Sequence, residues 1–476
     1  MAPRMRLDSF PAYVRRQMRA WKVPGVGLGI VRDGKTLIAD GYGLADSRRG
    51  VEVTADTPFA ICSCSKAFTC LVLAMLAEEG VIDWERPVRE YLPDFRMQDA
   101  FATERMTPRD LVTHRSGLPR HDDVWFGSSA DRQTMLRRLR HLQPTADLRT
   151  RYQYQNMMYS AAGYLAGVVT DSSWEAQVQT RILDPLGMSS TTMDIASMEA
   201  SKIAARPHDS SGKKPRQITY RNLDAIGPAG SINSTVTDML RWISLHLGAG
   251  HFEGRRVVNA KTMRSLYQPH MPADAFTFDE LQQPCYALGW TSLIYRGHRV
   301  VSHSGGIDGF RCRTSLLPDD GIGVVCYTNG TTDLPHQLTW EAIDRTLGLE
   351  PLPWASRYRA MNKREQAAGK SRRSKDLRTR VKGTKPSHRL AEYGGVYEHP
   401  GYGKVTVVHQ RGKLRLSMKG FDVPLKHWHY DVFEYTPPRA EPVRGSFFGN
   451  RDGQIGQLSL PLQEGTDDIV FERSEA

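Results

Sequence analysis

The stretch FAICSCSKAFTCLVLAMLAEEG, Phe59 to Gly80, places Ser63 three residues before Lys66 at the head of an apolar run. Phe68, Leu71, Val72, Met75 and Leu76 recur at helical spacing and Gly80 is a natural stop, which predicts a helix beginning near Ser63. A serine at a helix start sees unpaired N–H groups and the positive end of the dipole, and both favour a developing oxyanion. A lysine one turn on lies on the same face and, if burial lowers its pKa, can take the hydroxyl proton. Ser63 is therefore the candidate nucleophile and Lys66 its partner. Cys62 and Cys64 lack that spacing to Lys66, have no local histidine to activate a thiolate, and read as packing.

Ser-x-x-Lys is a weak pattern alone, and Ser210 and Lys213 repeat it in an evident loop. The first instance gains weight from two triplets further along, Tyr154-Gln155-Asn156 in RYQYQNMMYSAAGYLAG and His303-Ser304-Gly305 in RVVSHSGGIDGF. Each has look-alikes (Tyr220-Arg221-Asn222, Tyr327-Thr328-Asn329, His399-Pro400-Gly401), so the conjunction carries the signal.

These residues need a frame to bring them together. Leu7, Phe10, Val14, Met18 and Trp21 predict an amphipathic first helix, and VPGVGLGIVRDGKTLIADGYGLAD alternates around Asp33-Gly34 as a β-hairpin. Gly25, Gly27 and Gly29 lie in strand sequence with no helix after them, which argues against a phosphate loop. Helical and loop sequence runs to about residue 250, and strands return in RVVSHSGG, FRCRTSLLP and GIGVVCYTNG. The expectation is an α+β domain over 1–350 whose sheet joins both ends of the segment. A basic helical or flexible linker follows over 351–389, and short alternating runs from GKVTVVHQ to DIVFER predict a small all-β barrel over 390–476.

The composition bounds the function. A chain of 476 residues with 40% hydrophobic and 24% charged residues is that of a globular protein, and no apolar run reaches the length of a membrane span. Of the net charge of +12, the segment Arg357 to Arg389 supplies most, with thirteen lysines and arginines against Glu365 and Asp376. That is a solvated linker and no nucleic-acid groove, which would need a distributed basic face with interleaved aromatics. Six cysteines without a paired C-x-x-C arrangement read as reduced thiols, and the N-terminus has no signal-peptide core, so a cytoplasmic location is expected. His427, His429 and Asp431 share one face of a strand without a further ligand cluster, and hydrogen-bonded barrel residues are expected there, with no metal or other cofactor.

Ser63-x-x-Lys66 with DLVTHRSGLPRHDD, Tyr154-x-Asn156 with MMYSAAGYLAG, GPAGSINSTVTDMLRWISLHL and HSGGIDGF together resemble the serine hydrolases related to class C β-lactamases and D-alanyl-D-alanine carboxypeptidases. The resemblance spans roughly residues 7 to 350, and the C-terminal segment resembles the lipocalin-like β-domain that often follows this catalytic domain. It implies a five-stranded antiparallel sheet flanked by helices, with a helical subdomain over the cleft. It also implies acylation of Ser63, proton transfer shared by Lys66 and Tyr154, and a substrate amide held by Asn156. His303 would face the nucleophile from a strand, with Ser304 and Gly305 beside it, and the N–H groups of Ser63 and Gly306 would form the oxyanion hole. His121, Asp122, Asp123 and Trp125 belong to a loop that lines the cleft in such enzymes, with Trp125 a candidate substrate contact and a buried anchor its competing reading. A Lys66 ammonium would stabilise a Tyr154 phenolate able to take the Ser63 proton.

His303-Ser304-Gly305 stands where β-lactamases carry Lys-Thr-Gly, and the loss of a permanent cation there points to the esterase, D-aminopeptidase and amidase branch. The expected activity is acyl-enzyme hydrolysis of a small amide or ester, a small molecule or a peptide with a D-residue. The alternatives are acyl transfer that cyclises a peptide and a catalytically silent binding scaffold. The β-domain is a candidate for narrowing the cleft or for homo-oligomerisation.

Overall fold

In the computed structural model, which describes residues 7–274, 278–438 and 441–474, the chain reverses at Asp33-Gly34. Both residues are left-handed, at φ 49° and 73°, the type I′ geometry that matches strand twist. The turn joins strands Gly25–Arg32 and Lys35–Asp46. The first of these pairs antiparallel with Ile322–Thr328, Val26 opposite Thr328, so the two ends of the segment share one sheet as the hairpin pattern predicts.

That sheet has nine strands among the described residues, not the five the resemblance implies. In spatial order they are Met271–Pro272, Leu281–Tyr286, Thr291–Tyr295, His298–Ile307, Phe310–Leu317, Ile322–Thr328, Gly25–Arg32, Lys35–Asp46 and Val51–Glu52. The excess comes from the edges, where Lys35–Asp46 runs twelve residues and recruits a two-residue partner, and where Leu281–Tyr286 and Met271–Pro272 extend the opposite side. One face packs on the helices Phe10–Trp21 and Leu334–Leu347 through Phe10, Val14, Leu28, Val324, Leu338 and Trp340. The other carries Ser65–Glu78 and Val236–Leu247, where Phe68 stacks on Trp242 at 3.8 Å.

The basic segment opens as a helix, Trp354–Leu377, and continues through turns and irregular chain over 378–389. Trp354 and Tyr358 bury its start, and ion pairs fix its end: Arg373 forks onto Glu434 at 2.8 and 3.0 Å, and Arg444 reaches Asp376 at 2.5 Å. Eight strands from Gly395–His399 to Ile469–Arg473 then close into a barrel, with Tyr397 opposite Arg473 at the seam. Its interior, with Val405, Leu416, Phe433 and Phe471, continues into the core beneath Ser65–Glu78. The His427 to Asp431 group is spent on hydrogen bonds: His427 to the Tyr430 carbonyl, His429 from the Val381 N–H, and Asp431 from Ser387 and Tyr393.

Candidate active site

The strand Phe59–Ala60 pairs with Asn233–Ser234 and leads into a tight helical turn, Cys62–Cys64, that runs directly into Ser65–Glu78. The helix thus begins at the predicted place, with the nucleophile candidate in its first turn, where N–H groups lack intrahelical acceptors. Cys62 sits at φ 49°, a strained conformation for a residue with a Cβ. Ser65 pins the turn, donating to the Cys62 carbonyl at 2.7 Å and accepting from the Ile232 N–H at 3.1 Å. Cys62 and Cys64 are buried on either side, so Ser63 alone of this run opens to the cleft.

Lys66 is 0% exposed. Its Nζ lies 2.8 Å from Asn156 Oδ1, 2.8 Å from the Ala229 carbonyl and 3.2 Å from Ser63 Oγ. Burial and then the charge of Arg120 hold its pKa well below that of a free lysine, opposed by Asp122, Cys64 and Cys70. A neutral amine has two hydrogens and one lone pair. Asn156 and Ala229 offer acceptors for both hydrogens, and the lone pair is left for the Ser63 hydroxyl. Lys213, in the look-alike pattern, is exposed and has no such environment.

Tyr154 hydrogen-bonds Ser63, and the Lys66 Nζ stands 4.8 Å from its ring centre. The environment opposes the phenolate expected from the sequence. Burial raises the Tyr154 pKa above that of a free tyrosine, against the smaller lowering by the Ser63 hydrogen bond. The two shifts run in opposite directions, Lys66 toward the amine and Tyr154 toward the phenol.

Asn156 opens the helix Asn156–Val169. Besides receiving Lys66 it donates from Nδ2 to Asp122 Oδ1 at 3.1 Å, and both ends of its amide are thereby engaged inside the protein. Asp122 also accepts from Arg120 Nε at 2.6 Å and from Trp125 Nε1 at 2.8 Å. Trp125 is 6% exposed with its one donor used inward, which favours the anchoring reading of the two that the sequence offers. The Arg120 guanidinium lies 4.9 Å from the Tyr154 ring centre with its side chain half exposed. A permanent cation therefore does stand in the cleft, brought by a loop and not by position 303.

His303 faces Tyr154, with ring centres 6.4 Å apart. Its Nδ1 lies 2.6 Å from the Ser304 carbonyl and its Nε2 3.0 Å from the Tyr286 hydroxyl, an arrangement satisfied by the Nδ1–H tautomer with Nε2 accepting. Ser304 is exposed on the opposite strand face, and only its carbonyl is engaged. Thr291–Tyr295 pairs with this strand only as far as Ser302, whereas Phe310–Leu317 pairs through Ile307. His303 to Ile307, Gly306 included, thus has no strand partner on one side, with the His303 and Ser304 carbonyls taken by Cys64 Sγ at 3.2 Å and by His303 Nδ1 at 2.6 Å.

Gly305 is pressed onto the nucleophile turn: a Cβ there would lie 2.5 Å from Cys312 Sγ and 2.7 Å from both Cys62 Cβ and the Ile61 carbonyl oxygen. Since the backbone of Ile61 cannot swing aside, Gly305→Ala must part the strand from the turn. A displacement approaching 1 Å costs on the order of 10²-fold in rate. We expect kcat/KM to fall by about that factor in steady-state ester hydrolysis, with the fold retained by circular dichroism.

His114 and Tyr286 escaped the sequence reading. His114 is wholly buried, accepts the Gln155 N–H at Nδ1 (3.0 Å), and lies against Tyr154 with ring centres 4.2 Å apart. Burial first of all, and the nearby Arg120 guanidinium, hold its pKa well below that of a free imidazole. His114 and Arg120 stand inside DLVTHRSGLPRHDD, whose clustering of histidine, arginine and aspartate was the available signal. Tyr286 carried none.

An antiparallel sheet flanked by helices, with a serine and a buried lysine at a helix start, defines the class of serine hydrolases built on the β-lactamase fold. The family model described as Beta-lactamase matches residues 10–347, and the chain belongs to that family. A second model, a domain of unknown function termed DUF3471, matches residues 379–473. Among curated relatives, an unguisins hydrolase of Aspergillus campestris is 29% identical, over 88% of this chain and 81% of its own. Among solved structures, the octameric penicillin-binding protein homologue from Pyrococcus abyssi superposes with a TM-score of 0.65 at 19% identity, over 98% of this chain and 100% of that one. The D-amino acid amidase from Ochrobactrum anthropi gives 0.58 at 21% identity, over 72% and 97%. No helix among the described residues is long and apolar enough to cross a membrane.

Proposed function

We propose that this chain hydrolyses a small amide or ester, a peptide with a D-residue at the scissile bond foremost, through an acyl-enzyme on Ser63. The observation that carries the reading is the Lys66 amine, buried, committed to two acceptors and presenting its remaining position to Ser63 Oγ at 3.2 Å. Lys66 takes the Ser63 proton as Oγ bonds to the acyl carbon, and the N–H groups of Ser63 and Gly306 hold the oxyanion. The leaving group departs with the Tyr154 proton, which Tyr154 regains from Lys66. Water then attacks the acyl carbon by the reverse proton path and frees Ser63.

The side of His303–Ile307 without a strand partner suits an extended amide, which can pair beyond the engaged His303 and Ser304 carbonyls. The D-residue preference draws on the fold shared with the D-amino acid amidase. The test is a panel of p-nitrophenyl esters, D- and L-aminoacyl p-nitroanilides and a chromogenic cephalosporin, with and without an added amine, and products read by mass. We expect D-aminoacyl turnover to exceed L-aminoacyl turnover with free acid as product. An amide product would establish acyl transfer, and no turnover in folded protein would leave the silent scaffold.

A further inference from the structure

The loop that holds Asn156 is gripped from the far end of the sequence. His121 is wholly buried, and its backbone N–H donates to Gln463 Oε1 at 2.5 Å. Its ring spans the Tyr402 hydroxyl, 2.6 Å from Nδ1, and the Gln143 carbonyl, 2.9 Å from Nε2. Its backbone is left-handed, at φ 45°, and its ring is committed to the barrel while its neighbours Arg120 and Asp122 are committed to the cleft. Two residues on, the Lys419 Nζ donates to the carbonyls of Asp123 and, at 2.9 Å, of Val124.

The approach is close enough to dictate residue types. Gly127 lies at φ 67°, and a Cβ there would stand 2.3 Å from the Lys419 carbonyl oxygen. Lys419 occupies the first position of the hairpin turn with Gly420, at φ 43° and 83°, where asparagine or glycine is usual. A lysine there is conformationally costly, and its Nζ is spent on the loop.

From this geometry we infer that the barrel is a positioning element of the catalytic site: Lys419, Tyr402 and Gln463 hold the Arg120–Trp125 loop so that Asp122 fixes Asn156 and, through it, Lys66. The path is continuous, from Asp122 to Asn156 at 3.1 Å, Asn156 to Lys66 at 2.8 Å and Lys66 to Ser63 at 3.2 Å. This gives the C-terminal domain a task in turnover. The inference rests on the hydrolase reading for its catalytic half and on geometry alone for the loop.

The test uses the full chain with Lys419→Met, Tyr402→Phe and Gln463→Ala, singly and combined, beside Lys419→Arg. Three quantities are read: melting temperature, amide hydrogen exchange over residues 120–126, and the rate of fluorophosphonate labelling of Ser63 against pH. Lys419→Met is expected to label about tenfold more slowly and the triple variant about 10²-fold, both still folded, with faster exchange in the loop. The acid limb of labelling moves to higher pH, because a loosened loop admits water to Lys66 and withdraws Arg120, which lowers the Lys66 pKa more than Asp122 raises it. Lys419→Arg, which can still donate to both carbonyls, recovers most of the rate.

Unchanged exchange, rate and acid limb in a folded triple variant would overturn the inference, as would a rate loss matching the unfolded fraction. A wild type that takes no label overturns the hydrolase reading, and the catalytic half of this inference with it. The exchange data still decide whether the barrel holds the loop.

Discussion

A Ser63→Ala chain takes up no fluorophosphonate and turns over esters at least ~10⁴-fold more slowly than the wild type, the scale on which removal of a serine nucleophile is felt. No neighbour can take its place. Ser65 is wholly buried with its hydroxyl bonded on both sides, Cys64 Sγ is turned to the His303 carbonyl at 3.2 Å, and Cys62 is buried. The substitution leaves Lys66 its bonds to Asn156 and Ala229, so the melting temperature holds. Intact-mass spectrometry of both proteins after labelling decides the matter: one adduct on the wild type and none on the variant. An adduct that survives in Ser63→Ala would remove Ser63 from its role.

Lys66→Met is expected to lower kcat/KM by about 10³-fold, within the range for loss of a general base. The pH dependence gives the sharper reading. Lys66 accepts a proton only when neutral, so the wild-type rate rises as pH passes upward through its depressed pKa, and the methionine variant lacks that limb. Stability moves with it. Between the folded pKa and about 10.4 the unfolded chain binds a proton at this site that the native chain does not, so wild-type stability increases with pH there. Lowering the pH through that window costs the wild type about 1.4 kcal/mol per unit relative to the variant. Urea unfolding at pH 8 and pH 9 measures the difference, and parallel curves for the two proteins would mean that Lys66 is charged in the native state.

Local patterns reached far in this chain. The first helix, the Asp33-Gly34 hairpin, the helix start at Ser63, the strand carrying His303 and the series of barrel strands all follow from spacing that a few neighbouring residues set, because helix and strand periodicity are properties of short segments. The Ser63 and Lys66 pair was legible for the same reason, since one helical turn brings them together whatever surrounds them. The nine-strand sheet was not, since its edges depend on short segments that pair only once the central strands exist.

What the sequence alone determined is which groups exist and which of them local geometry must place side by side: a serine and a lysine at a helix start, and a tyrosine and an asparagine at the head of another. The tertiary structure decided their environment. Desolvation pushes the Lys66 pKa down and the Tyr154 pKa up, and desolvation is a sum over residues from the whole chain that no local window contains. It also decided that Trp125 is buried against Asp122, that Arg120 supplies the cation position 303 lacks, and that Lys419 grips a loop almost three hundred residues earlier. Each of these depends on distances between segments remote in sequence, which only the packed core fixes.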